Sequence, residues 1–204
     1  QEELKKRGHQ VDIVTIPFKW YPVTTLLECM QMGRMMDLSE VNGEKIDLVI
    51  AMKFPAYYVK HENKVLWLLH QHRQAYDLWK TPYGDLDKMS DGEWARKMII
   101  EHDTKYMNEA KRIYTNSKNT ANRLMKYNKI VGEALYHPPL NYEKLYCNEY
   151  NDYIFYASRI DPIKRQRLLV QAAKFVKTDV KFVIAGSGSE KEVEYLKSEI
   201  KKHK

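Results

Sequence analysis

Arg159 and Lys164 stand in one loop, Ser158-Arg159-Ile160-Asp161-Pro162-Ile163-Lys164-Arg165-Gln166, between an apolar strand pattern over Tyr153–Ala157 and a helix pattern. The next strand pattern, Val180–Ala185, ends in Gly186-Ser187-Gly188-Ser189-Glu190. A guanidinium and an ammonium at one strand end, beside a glycine turn at the next, suit a phosphorylated ligand. In open parallel sheets the carboxyl ends of the strands form the ligand crevice, and a helix starting there aims N–H groups and partial positive charge into it. Pro162 fixes the chain direction, so both cations can converge on one diphosphate. Gly186 and Gly188 carry no Cβ and let backbone approach closely. The plain alternative is a solvated basic turn. It is the reading adopted for Arg165 and Arg167, because Leu168, Leu169, Ala172, Ala173 and Val176 form a stripe expected to face the core and leave them outward.

The run His70-Gln71-His72-Arg73-Gln74-Ala75-Tyr76-Asp77-Leu78-Trp79, at the end of the strand pattern Lys64–Leu69, is the densest polar stretch of the first part of the chain. Two histidines two apart, with Arg73 next, can serve acid–base work, phosphate contact or metal binding. Metal binding is the weakest of these, since a His-x-His pair needs further ligands and none is indicated nearby. A histidine satisfied by hydrogen bonds within the loop is the plain alternative. Position at a carboxyl-end loop makes His70 the catalytic candidate, with His72 and Arg73 as candidate acceptor or phosphate contacts. Tyr76 and Trp79 can form a shelf for a sugar ring or cover the core. His9, His61, His102, His137 and His203 lack such a context.

The block Ser158–Gln166, followed by Leu168-Leu169 and by Phe182-Val183-Ile184-Ala185-Gly186-Ser187-Gly188, resembles the start of the donor-binding domain of retaining glycosyltransferases of family 4, which have the GT-B fold. Tyr114-Thr115-Asn116-Ser117-Lys118-Asn119-Thr120 and Pro138-Pro139 are similar to that family's pattern at the end of its first domain. His70 matches its strand-end histidine. The resemblance implies that Arg159 and Lys164 hold the diphosphate of a sugar nucleotide such as a UDP- or GDP-sugar, with Ser158, Gly186 and Gly188 in the donor-binding loop. It further implies retention of configuration, no obligatory metal or other cofactor, and a saccharide or lipid-linked acceptor. His70 would position the donor sugar or the acceptor. Cations fixed on the diphosphate would stabilise the leaving group more in the transition state than before it. Hexosyl transfer in cell-surface polysaccharide or glycolipid biosynthesis is the activity expected.

Family members open with a strand and a glycine-rich loop, whereas Gln1 falls inside the helix that should follow. They also carry, later in the donor domain, two donor-sugar glutamates separated by seven residues, and this chain stops at Lys204 before any such element. The resemblance therefore implies an internal fragment, itself inactive. Residues 1–140 would be a Rossmann-like acceptor-binding domain lacking its start, 141–150 a connector, and 151–204 the opening of a truncated Rossmann-like donor domain. Two readings stay open beside it: a nucleotide-sugar epimerase or phosphorylase of the same fold, and a non-catalytic nucleotide-binding module. Against the latter, Gly186-Ser187-Gly188 lacks the third glycine of a dinucleotide fingerprint.

The elements that must position these residues alternate between strand and helix, indicating parallel sheets in an α/β fold with two Rossmann-like domains and a cleft between them. The patterns predict a helix over Glu2–Arg7 closed by Gly8, a buried strand over Val11–Ile16, and a helix over Thr24–Asp37 whose Met30, Met32, Met35 and Met36 fill the core. A turn at Asn42-Gly43 precedes a strand over Ile46–Met52. Ser90 and Glu93 have capping-box spacing ahead of a helix over Gly92–Ala110. A strand over Arg112–Thr115, a helix capped by Ser117 and a strand over Ala134–Tyr136 follow. Ser189 and Glu192 repeat the box before a final amphipathic helix.

Composition excludes other classes. With 44% hydrophobic and 30% charged residues the 204-residue chain is too apolar for disorder. No apolar run reaches the roughly 18 residues of a spanning helix. Two distant cysteines, Cys29 and Cys147, indicate a reducing cytoplasm. The net charge of +7 is concentrated from Asn151 onward, where 12 basic face 7 acidic residues. With no long basic helix interleaved with aromatics, this favours a phosphorylated small molecule or peripheral contact with an anionic inner membrane face over nucleic acid. A solvated surface is the plain reading of that charge.

Overall fold

Lys64–His70 alternates so strictly that Lys64, Leu66 and Leu68 are enclosed while Val65 and Trp67 between them are half-buried. It is the central strand of the first of two units into which the chain divides, Gln1–Leu140 and the stretch from Asn141 onward. The computed structural model describes residues 1–202, so His203 lies outside the described residues.

In chain order the first unit contains α1 (Glu2–Lys5), α2 (Val23–Met35), a hairpin of β1 (Glu40–Val41) and β2 (Glu44–Lys45), β3 (Val49–Lys53), β4 (Lys64–His70), α3 (Gly92–Met107), β5 (Arg112–Thr115), α4 (Lys118–Asn128) and β6 (Glu133–Ala134). The four strands β3-β4-β5-β6 lie in that order and all pair in parallel, giving a mixed α/β unit compatible with a Rossmann-like fold. The core joins Leu26 and Met30 of α2, Leu66 and Leu68 of β4, Ile99 and Met107 of α3, and Leu124 of α4. Asn42 and Gly43 both take positive φ, 52° and 81°, as a two-residue hairpin turn requires.

The second unit contains β7 (Tyr153–Ala157), α5 (Gln166–Ala173), β8 (Lys181–Ala185) and α6 (Glu190–Lys202). β7 and β8 pair in parallel from Tyr153↔Lys181 to Ala157↔Ala185. Few side chains are enclosed here: Gln166, Val170, Glu192 and Leu196. No helix among the described residues is long and apolar enough to cross a membrane.

Several expectations are corrected. Val11–Ile16 forms no strand, and Ile13 and Val14 are exposed. An apolar run becomes a strand only where another backbone pairs with it. Here the neighbouring polar contacts come from side chains instead: the Gln1 amide donates to the Val11 carbonyl, and the Cys29 thiol lies 3.6 and 3.7 Å from the Pro17 and Lys19 carbonyls. Of the four methionines, only Met30 is enclosed; Met32 and Met35 are exposed. The Ser90 box does not form, because Asp91 is the residue before α3 and the Ser90 hydroxyl lies against its carboxylate. Ser117 does cap α4, accepting from the Thr120 N–H at 3.2 Å. On α5 the enclosed residues are Gln166 and Val170, whereas Leu168 is 50% exposed.

Candidate functional site

β7 leads at its carboxyl end into a loop held by its own hydrogen bonds. Gln166, fully enclosed at the start of α5, donates from Nε2 to Ser158 Oγ at 2.9 Å and to the Arg159 carbonyl at 2.8 Å. Asp161 Oδ1 accepts from the Ile163 N–H at 3.0 Å, Pro162 opens a single 3-10 turn over Pro162–Lys164, and Arg165 takes the left-handed conformation with φ 63°. The Tyr156 hydroxyl donates to the Lys164 carbonyl. Sequence reasoning missed Gln166 and Tyr156. The signal for Gln166 was an amide at the first position of a helix, where a side chain can reach back to unsatisfied loop groups.

On this preformed loop the two predicted cations face solvent. Arg159 keeps 67% of its side chain exposed, with Nη2 3.4 Å from Asp161 Oδ2. Lys164 is exposed, and its ammonium forms no ion pair with another described residue. Neither is consumed by a buried partner, so both are open to an anion.

Gly186 and Gly188 are required by the approach of two loops. The β7–β8 ladder continues past both strands, with the Ser158 N–H donating to the Ala185 carbonyl at 3.0 Å and the Ile160 N–H to the Ser187 carbonyl at 2.8 Å. A Cβ on Gly186 would lie 1.9 Å from the Ser158 carbonyl oxygen, and one on Gly188 2.1 Å from that of Ile160. Gly186 also has φ +153°. The glycines thus fix the Arg159 loop against its neighbour. Arg165 is exposed as expected, but Arg167 is not left free: it grips Glu192 at 2.7 and 2.5 Å and lies 3.9 Å over the Tyr195 ring, tying α5 to α6.

At the carboxyl end of β4, His70 is half-buried with Nδ1 2.7 Å from the Gln71 carbonyl oxygen. His72 is 9% exposed, its ring 5.0 Å from Phe54 and 5.9 Å from Phe18. Burial, with the nearby His70 adding to it, lowers its pKa to about 4, so the imidazole is neutral near pH 7. Arg73 is held by Asp77 through contacts of 2.6–3.2 Å, and Arg123 Nη1 lies 3.4 Å from the same carboxylate. Burial alone would raise Asp77, but the Arg73 hydrogen bonds and the Arg123 charge outweigh it and hold the carboxyl below its usual range.

Tyr76 belongs to the core and forms no shelf. Its hydroxyl donates to Asp103 Oδ2 at 2.7 Å, while the Tyr58 hydroxyl donates to Oδ1 at 2.7 Å. Trp79 is half-buried against the core with the Arg96 guanidinium 5.0 Å from its ring. The network extends to Asn128, which donates to the Tyr76 hydroxyl and to Thr104 Oγ1, and on to Gln71 and Arg123. Full burial raises the Asp103 carboxyl to about 7 despite its tyrosine donors. This network beside the His70 loop was silent in the sequence because its bonded partners are 24 to 57 residues apart.

Among the described residues no group of three His, Cys, Asp or Glu side chains is placed to hold a metal ion. Comparison with protein-family models, with curated proteins and with solved structures found no match to this chain.

Proposed function

We propose that the Arg159–Lys164 loop binds the diphosphate of a nucleotide sugar and that the chain belongs to a retaining GT-B glycosyltransferase acting on a saccharide or lipid-linked acceptor. One observation carries the reading. Two solvent-facing cations stand on a loop whose backbone is immobilised by Gln166, Asp161, Tyr156 and the two glycines, at the carboxyl end of a parallel strand. A preformed cationic loop loses little conformational freedom on binding an anion, which is where affinity for a small charged ligand comes from. The resemblance of Ser158–Gln166 to a donor-binding motif supplies the sugar-nucleotide part of the proposal. His70 enters it as the side chain that orients the reacting sugar or the acceptor.

Calorimetric titration of the chain with UDP, GDP and NAD tests it. UDP or GDP is expected to bind, and Arg159→Ala and Lys164→Ala are each expected to weaken binding by about tenfold or more, the size of a lost charge-assisted hydrogen bond. Undiminished nucleotide binding in both variants, or a preference for NAD, overturns the proposal.

A further inference from the structure

The two cationic and neutral candidates beside His70 are unlike in their availability. Arg73 is occupied by Asp77, which Arg123 shares. His72 is unoccupied: neither ring nitrogen bonds to another described residue, and neither is among the side-chain atoms sealed from solvent without a partner. A nine-tenths buried imidazole therefore presents an unbonded nitrogen beside two phenylalanine rings. Phe54 packs tilted against it, Phe18 packs edge-on against both rings, and Phe18 keeps 42% of its surface exposed.

We propose that His72, Phe18 and Phe54 form a subsite for an uncharged, hydroxylated sugar ring. Resting on the transferase reading, this makes the acceptor a neutral saccharide end rather than a phosphate-bearing group. An aromatic face accepts the apolar C–H side of a sugar, and one neutral imidazole nitrogen can donate to or accept from a ring hydroxyl. A phosphate in the same place would lose part of its hydration beside a neutral imidazole, with Arg73 and Arg123 both already engaged by Asp77. The one exposed cation in ladder register nearby is Lys53, opposite His70.

The test is nuclear magnetic resonance of the chain labelled with nitrogen-15 in histidine, with His72 assigned by the signal lost in His72→Gln. The probes are the methyl α-pyranosides of glucose, galactose and mannose, and glucose 6-phosphate. At least one methyl glycoside is expected to move the His72 ring resonances saturably. Phe18→Ala should weaken that binding several-fold, and His72→Phe, which keeps the ring shape and removes the nitrogen, should abolish the affinity with an unchanged amide spectrum. Glucose 6-phosphate should bind no more tightly than the neutral glycosides. Unmoved His72 resonances with all three glycosides, unchanged affinity in His72→Phe, or tighter binding of glucose 6-phosphate that depends on Arg73 or Lys53 overturns the subsite. The nucleotide titration reads Arg159 and Lys164 separately. Nucleotide binding with a silent His72 sinks the subsite alone, and sugar binding at His72 without nucleotide binding sinks the transferase reading.

Discussion

Asp103 holds its carboxyl out of solvent between the Tyr58 and Tyr76 hydroxyls, and its folded pKa of about 7 stands above the ordinary 3.8. Below pH 4 both folded and unfolded chains are protonated; between 4 and 7 only the folded chain keeps the proton, so stability falls as pH rises through this window. The gap corresponds to roughly 4 kcal/mol at its full extent. Asp103→Asn removes the titration and leaves an acceptor for one tyrosine. Its melting temperature relative to the parent should therefore rise from pH 4 to pH 8, and a constant difference across that range would refute the assignment. The exposure of Arg159 and Lys164 was legible from their place in a polar loop after an apolar strand. Asp103 was not, because a carboxylate in a helix reads as a solvated face until the tyrosines that enclose it are seen.

Lys64 opens β4 with an enclosed ammonium that donates to the Tyr57, Val59 and Tyr106 carbonyls at 2.9–3.0 Å and lies 3.3 Å from Glu109. It joins the start of a strand to the preceding turn and to the end of α3. Lys64→Met would leave those carbonyls without their donor and should destabilise the first unit by about 3 kcal/mol, read from urea unfolding; a loss under about 1 kcal/mol would contradict the clamp. In the second unit α6 is held by the Arg167 fork. Arg167→Lys keeps the charge but neither the paired hydrogen bonds nor the stacking on Tyr195, so amides of α6 should exchange with solvent faster. Exchange as slow as in the parent would show that apolar packing alone docks the helix. Gly188→Ala places a methyl against the Ile160 carbonyl and should lower the melting temperature of the second unit, with loss on the order of 2 kcal/mol. An unshifted melt would mean that the loops part freely. Element types followed the hydrophobic period wherever a strand had neighbours on both sides, as β4 does. Val11–Ile16 had the period without the neighbour. Ser117 and Ser90 carry comparable cap signals, and only Ser117 is placed so that its hydroxyl meets the N–H three residues on.

Across the whole chain, the apolar burial is uneven. The connected core lies entirely between Val23 and Ile130, whereas among the described residues the second unit encloses only Val170 and Leu196 of its apolar side chains and leaves Tyr153, Ile154 and Phe155 of β7 exposed. A two-stranded sheet so lightly covered is marginal. Scanning calorimetry should resolve a minor transition from the second unit below a major one from the first, with the major one retained in a chain ending at Leu140. A single cooperative transition would disprove the uneven distribution of stability. The proline pair Pro138-Pro139 lies just before the boundary between the units, and the thinness of the second core was not legible, since its strands read as apolar as any others. The chain of amides and hydroxyls from Gln71 through Asn128 and Tyr76 to Asp103 has one last implication, for how this sequence can diverge. Exchanges at these four positions should be tolerated together or not at all. Drift at Asn128 would then limit which residues can follow His70 along the chain, although 57 positions separate Asn128 from Gln71.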